Sequence, residues 1–251
     1  MITNNLHRQP VQLDSVQHRE LKLDVPVTDW GVASKLNMIL AVAAEFGDVC
    51  REFPIVFIKA GKEPDGTDAI APIAVFGLVQ EDNLFVEKGR WRGQYIPTIV
   101  QTYPFGLARI SEERFAICVD MDYEGIGKAA GRPVFDAHGQ PTEMLEAMRK
   151  HLENLEGEIQ RTRLIGRRLQ ELGLLQEMRF DATLPDGRKQ VLEGFMTVDD
   201  KKVTELSDAL VTELHRNGIL GLIHLHWVSL GNMRRLAEWH AERTAAPPAA
   251  A

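Results

Sequence analysis

The sequence predicts an α+β protein, and three observations carry that expectation. The first half holds short apolar runs cut by turn residues, the middle changes to a helical apolar period, and the last third is helical again. A mostly antiparallel sheet in the first half is therefore expected, followed by a long central helix, a β-hairpin and C-terminal helices. Of the 251 residues, 44% are hydrophobic and 26% charged, ordinary proportions for a globular chain. One domain is expected over residues 1–244. The final "AAPPAAA" (245–251) offers nothing large to bury, which predicts a disordered tail.

The strand candidates come first. "PIVFIKA" (54–60), "APIAVFGLV" (71–79), "NLFVE" (83–87), "IPTIVQTYPF" (96–105) and "RFAICVDMD" (114–122) are short apolar runs separated by clusters such as "GKEPDGTD". "FGLVQEDNLFVE" reads as two strands around a Glu81-Asp82-Asn83 turn, with Asn83 able to take a positive φ. In the middle, Leu145, Met148, Leu152, Leu155 and Ile159 fall three or four apart, and Leu169 and Leu172 extend the face. That spacing predicts a helix over Thr142–Leu172 with Gly173 as its C-cap. Gly157 and Gly166 interrupt it and mark close packing or a bend.

"MRFDATLPDGRKQVLEGFMTV" (178–198) places two strand-like runs around Pro185-Asp186-Gly187, a hairpin signal. "SDALVTELHRNG" (207–218) opens on an N-cap serine, Ser207, and closes on Asn217-Gly218.

"HLHWVSLGNMRRLAEWH" (224–240) admits two structures. On a strand, His224 and His226 would share a face and could meet one metal. On a helix they would stand roughly 200° apart. Ile219, Ile223, His226, Leu230, Met233 and Ala237 are spaced 4, 3, 4, 3, 4, which favours a packed helix with structural histidines. His240, near its end, is expected in solvent. Arg234 and Arg235 are either donors to an anion or a wet face. Asp120 and Asp122, in "CVDMDYEG", would point the same way if their strand continued, as a carboxylate pair for a proton or cation. Turn service beside Gly125 and Gly127 is the plainer reading.

"EKGRWRGQYIP" (87–97) sets Trp91 and Tyr95 among Arg90 and Arg92. Aromatics and arginines are enriched at recognition surfaces, although the same residues could cap one end of a sheet.

A formal charge of −7 argues against a nucleic-acid binder. Cys50 and Cys118 match no zinc or redox spacing and sit in apolar stretches, so buried thiols in a reducing compartment are expected. The N-terminal residues lack a signal pattern, and no apolar run approaches the roughly 18 residues of a membrane span. A cytoplasmic protein is therefore expected. No nucleophile elbow, phosphate-cradling loop or HExxH occurs, and no cofactor is expected.

"EFPIVFIK", "APIAVFGLVQEDNLFVEKGRWRGQYIPTIVQTYPF", "PVFDAHGQPTEML" and "HLHWVSLGNMRRLA" resemble, in that order, the successive motifs of the SapC family. The resemblance runs from Val25 to Ala237. The family takes its name from a bacterial gene cluster for surface-layer protein transport, and the resemblance carries over no catalytic residue. It implies an accessory in surface-protein or nutrient transport that binds a peptide or polymer. A transporter component and a second copy of the chain are further candidate partners. The binding face it implies lies in residues 76–105, at Glu81, Asn83, Trp91, Tyr95, Pro97, Tyr103 and Phe105. Arg92 and Arg234 complete the ligand-binding candidates. The competing expectation is an enzyme acting on a small molecule or peptide, whose metal-dependent form would hold the ion at His224, His226 and one of the pair Asp120 and Asp122.

Overall fold

A computed structural model describes residues 1–111, 114–127, 129–183 and 189–245. In chain order the strands are β1 (Pro10–Gln12), β2 (Lys22–Leu23), β3 (Met38–Leu40), β4 (Ile55–Lys62), β5 (Asp68–Val75) and β6 (Val86–Glu87). They continue with β7 (Arg90–Trp91), β8 (Phe105–Arg109), β9 (Phe115–Asp120), β10 (Arg132–Pro133), β11 (Leu175–Thr183) and β12 (Lys189–Val198). The helices are α1 (Phe46–Glu52), α2 (Thr98–Gln101), α3 (Glu143–Glu171), α4 (Asp200–Thr204), α5 (Asp208–Arg216), α6 (Ile219–Ser229) and α7 (Asn232–Ala245). The fold is α+β.

The chain forms two compact units, each built from two separate stretches of sequence. Unit 1 combines Met1–Lys35 with Val86–Gly157, and unit 2 combines Leu36–Phe85 with Glu158–Ala251. Unit 1 holds a sheet in the order β1-β9-β8, a β10-β2 ribbon and a β6-β7 hairpin, all antiparallel. Its core gathers Leu23, Phe105, Leu107, Val119, Val134 and Phe135, closed by Leu145 and Leu152 from the first half of α3. Those two leucines belong to the apolar stripe that predicts the helix.

Unit 2 holds an antiparallel sheet in the order β11-β12-β4-β5-β3. Phe57, Ile70, Met196 and Val198 of that sheet pack with Leu169, Leu214, Ile219 and Ile223 from the helices. Each such fully buried aliphatic or aromatic side chain contributes about 1.5–3 kcal/mol. Gly166 explains how closely α3 packs. A Cβ there would lie 2.3 Å from the Ile70 carbonyl oxygen, so only hydrogen fits. Gly157 has nothing within 4 Å and carries no such constraint. Gly173 ends the helix at φ 63°, as a left-handed C-cap requires. Ser207 caps α5 by accepting from Leu210 N.

Three expectations change. Residues 76–87 do not form a hairpin around residues 81–83. β5 stops at Val75, and the chain then folds back so tightly that a Cβ on Gly77 would meet the Asp82 carbonyl at 1.7 Å. Glu81, not Asn83, takes the positive φ of 56°. The true hairpin is β6-β7, whose two-residue turn Lys88-Gly89 has φ of 49° and 75°. Two positive φ values make it the twist-compatible I′ type. Second, residues 96–105 are not one strand: Pro97 precedes α2, and strand begins only at Phe105. Third, residues 219–240 are helical but broken at Leu230-Gly231 into α6 and α7. The stripe survives the break, because Ile219, Ile223, His226 and Met233 are all buried.

The Pro185-Asp186-Gly187 turn and residues 246–251 of the expected tail lie outside the described residues. Among the described residues, no helix is long and apolar enough to cross a membrane.

Candidate functional site

The cleft in unit 1 is assembled around the β6-β7 hairpin. Trp91 Nε1 donates to the Tyr95 carbonyl at 2.8 Å, which folds the following loop back on its strand. The Trp91 ring meets Trp30 edge-on, with centroids 6.3 Å apart, and Trp30 N donates to the Gly89 carbonyl at 2.7 Å. Gly89 is required twice: its φ is positive, and a Cβ would lie 2.4 Å from an Asp29 carboxylate oxygen. That same oxygen accepts from Gly31 N at 2.8 Å. The hairpin turn and the segment around Asp29-Trp30-Gly31 are thus built against each other.

Two concavities open on this framework and share Val27 and Tyr103 as walls. One, of about 500 Å³, is mainly apolar, with Trp30, Tyr95, Ile96, Phe105, Met144 and Met148 among its lining. Arg132 also lines it. The other, of about 420 Å³, is polar, lined by Asp24, Asp29, Asp122, Glu124 and Tyr123 together with Arg8.

Tyr103, only 4% exposed, stands between them. Its ring lies at right angles to Tyr123, with centroids 5.5 Å apart. Its hydroxyl donates to Asp120 at 3.1 Å. Burial first, and the Asp120 charge second, push the Tyr103 phenol well above its ordinary pKa, so it stays protonated.

Asp120 is fully buried. Besides the Tyr103 hydroxyl it accepts from Gln9 N at 2.7 Å, Arg8 N at 3.0 Å and Asp122 N at 3.3 Å. Burial alone would raise its pKa, but these donors outweigh it and hold the carboxyl below its ordinary value. Its lone pairs are committed to tying β1, the end of β9 and Tyr103 together. Asp122 lies beyond the strand end and is exposed, so the two carboxyls do not act as one pair on a strand face. His7, beside Tyr103, donates from Nε2 to the Phe105 carbonyl at 3.1 Å and accepts from Thr3 N at 3.2 Å. Burial lowers its pKa.

The residues expected to bind ligand separate between the units. Tyr95, Tyr103 and Phe105 line the apolar cavity, and Trp91 braces it. Arg92 is exposed and lies 3.9 Å from the Glu87 carboxylate, while Pro97 is buried at the start of α2. Glu81, Asn83 and Arg234 belong to unit 2. Asn83 is fully buried, and its side chain accepts from Phe85 N at 2.9 Å, a turn-holding role. Arg234 is an exposed partner of Glu238 at 2.9 Å.

The histidines of the metal alternative lie on a helix, not a strand. His226 accepts from Val198 N at 3.1 Å and donates from Nδ1 to the Ile55 carbonyl at 2.7 Å, using both ring nitrogens. Burial takes its pKa down to about 4, against the raising effect of the Ile55 bond. His224 is exposed and stacks on Trp227. His240 is not in solvent: it is 7% exposed, with Nδ1 3.6 Å from Asp82. Among the described residues, no group of three or more His, Cys, Asp or Glu side chains is placed to hold a metal. Cys50 and Cys118 are buried and free, as their apolar settings imply.

Sequence reasoning did not single out Asp24, Asp29, Trp30, Tyr123, Arg132 or Met144. "DVPVTDWG" (24–31) carries no period and lies far from residues 89–125 in sequence. Only the tryptophan flanked by Asp and Gly marks it.

The family model that matches the chain is SapC, over residues 13–236. No curated protein and no solved structure matches it.

Proposed function

The chain belongs to the SapC family, and on that premise we propose that it is a cytoplasmic accessory of surface-protein or nutrient transport that binds a peptide or polymer segment in the unit 1 cleft. The carrying observation is the cavity of about 500 Å³ walled by Trp30, Tyr95, Tyr103, Phe105, Met144 and Met148. Such a volume fits a small ligand or a few side chains, and rigid aromatics offer large contact area at little entropic cost. Methionines adapt to irregular partners. The polar compartment beside it supports a ligand with alternating character, as a peptide has.

The local chemistry favours binding over catalysis. Tyr103 is held protonated, Asp120 spends its lone pairs on the fold, and His7 has both nitrogens engaged. Neither an activated nucleophile nor a poised general base results from that arrangement.

The test is selection of phage-displayed random peptides on the purified chain. Enriched clones are expected to bind, and Tyr95→Ala is expected to weaken them about 10-fold. No enrichment, or enrichment indifferent to Tyr95→Ala, would sink the proposal. Native mass spectrometry tests the enzyme alternative: a mass excess lost on denaturation would restore a metal or tightly held cofactor to consideration.

A further inference from the structure

We infer that the occupant of this cleft is a peptide segment bearing a lysine or arginine side chain close to an apolar one, with the cation in the polar compartment and the apolar neighbour in the groove. The inference rests on the binding reading above and specifies its ligand.

The first argument is charge complementarity. Asp24, Asp29, Asp122 and Glu124 face the polar compartment against a single guanidinium, Arg8. Four carboxylates around one cavity repel one another, and a ligand cation relieves that repulsion while an acidic ligand adds to it. The formal charge of the whole chain, −7, acts in the same direction at long range.

The aromatic walls supply a second argument. Tyr103 and Tyr123 both line this compartment, with their rings at an interplanar angle of 87°. In this edge-to-face packing the positive edge of one ring meets the face of the other, and the half-buried Tyr123 is the ring of the pair left open to a cation. Tyr103 keeps its proton, so its contribution is that of a neutral ring rather than a phenolate.

The shared walls set the spacing. Val27 and Tyr103 border both concavities, so a single ligand fills both only if its cationic and apolar groups lie near each other. An extended chain advances about 3.3–3.6 Å per residue, so compartments that share walls call for cationic and apolar side chains close together in the peptide. The apolar groove, with Met144 and Met148 from α3 on one side, takes the neighbouring apolar side chain, and Arg132 in its lining disfavours a second cation there.

The experiment is calorimetric titration of the full chain with three blocked peptides of one apolar sequence, differing at a central lysine, norleucine or glutamate. The lysine peptide is expected to bind about 10-fold tighter than the norleucine peptide at low salt, with glutamate weakest. That preference should shrink at high salt, where the Debye length falls to about 3 Å. It should also shrink in the Asp122→Asn, Glu124→Gln double variant, whose two positions are exposed. Circular dichroism confirms that the variant is folded.

Equal binding of the lysine and norleucine peptides, both weakened by Tyr95→Ala, would overturn the cation assignment and leave the groove reading standing. A lysine preference unchanged in the double variant would also overturn the assignment, because the cation would then sit elsewhere. Failure of all three peptides to bind would overturn this inference and the binding reading together.

Discussion

Asp120 and His226 are buried polar side chains whose charge states the backbone dictates in opposite ways. Asp120 is surrounded by donors and stays an anion. His226 receives one backbone N–H and gives one N–H, so its neutral form fits and its charged form does not. Its consequence for stability has a definite sign. The unfolded histidine titrates near 6.5, the folded one at about 4. Between those values the unfolded chain binds the extra proton, so stability present above pH 6.5 is lost as pH falls toward 4. A gap of this width corresponds to about 3 kcal/mol. We expect His226→Gln to flatten the pH dependence of the urea midpoint across that window, besides lowering stability at neutral pH. A variant with the same slope as the native chain would refute the assignment.

At the scale of elements, α3 shows how one helix serves two cores through one stripe. Leu145 and Leu152 pack in unit 1 and Leu169 in unit 2. Its two interior glycines look alike in the sequence and differ entirely in surroundings. Alanine normally stabilises a helix interior by about 1 kcal/mol relative to glycine. Gly157→Ala is expected to show that gain, since nothing lies within 4 Å of the added methyl. Gly166→Ala is expected to lower the melting temperature instead, because its methyl would lie 2.3 Å from the Ile70 carbonyl and force α3 off β5. Equal effects of the two substitutions would show that this packing is looser than described. His226 acts on the sheet in a similar way: the register of β12 and β4 is a single pair, Met196 with Phe57, and the histidine bridges both strands through Val198 and Ile55.

The molecule as a whole is organised by interleaving. The chain leaves unit 1 after Lys35, returns at Val86 and leaves again after Gly157. β4 and β5 therefore wait for β12 and the C-terminal helices before their hydrophobic face can close. A fragment of residues 1–157 contains every part of unit 1 but strands residues 36–85 without their core. Limited proteolysis of that fragment is expected to cut within 36–85 and spare unit 1 segments, whereas the full chain resists at both. Protection of 36–85 in the fragment would show that those strands close a core alone.

Much of this architecture is legible in the sequence. The long helix spans Glu143–Glu171 where its stripe ran from Thr142 to Leu172, and Ser207 caps its helix as expected. His226 falls on the buried stripe that its spacing assigns. These features depend on residues three or four apart, or on a capping residue and its neighbours, and so are written in consecutive positions. The turn at residues 88–89 was missed because Lys-Gly is a weak signal beside the Asp-Asn pair that precedes it, and a back-folded loop occupied that earlier stretch. The site was half legible: Tyr95 and Tyr103 were named, while Asp29, Trp30 and Tyr123 were not. What the sequence by itself determined is the α+β class, the helices with their caps and the family. The tertiary structure alone decided which residues share a cavity, that Asp120 holds backbone rather than metal, and that the 76–105 segment divides between two units. Contacts between residues a hundred positions apart have no period, and only the closing of a core brings them together.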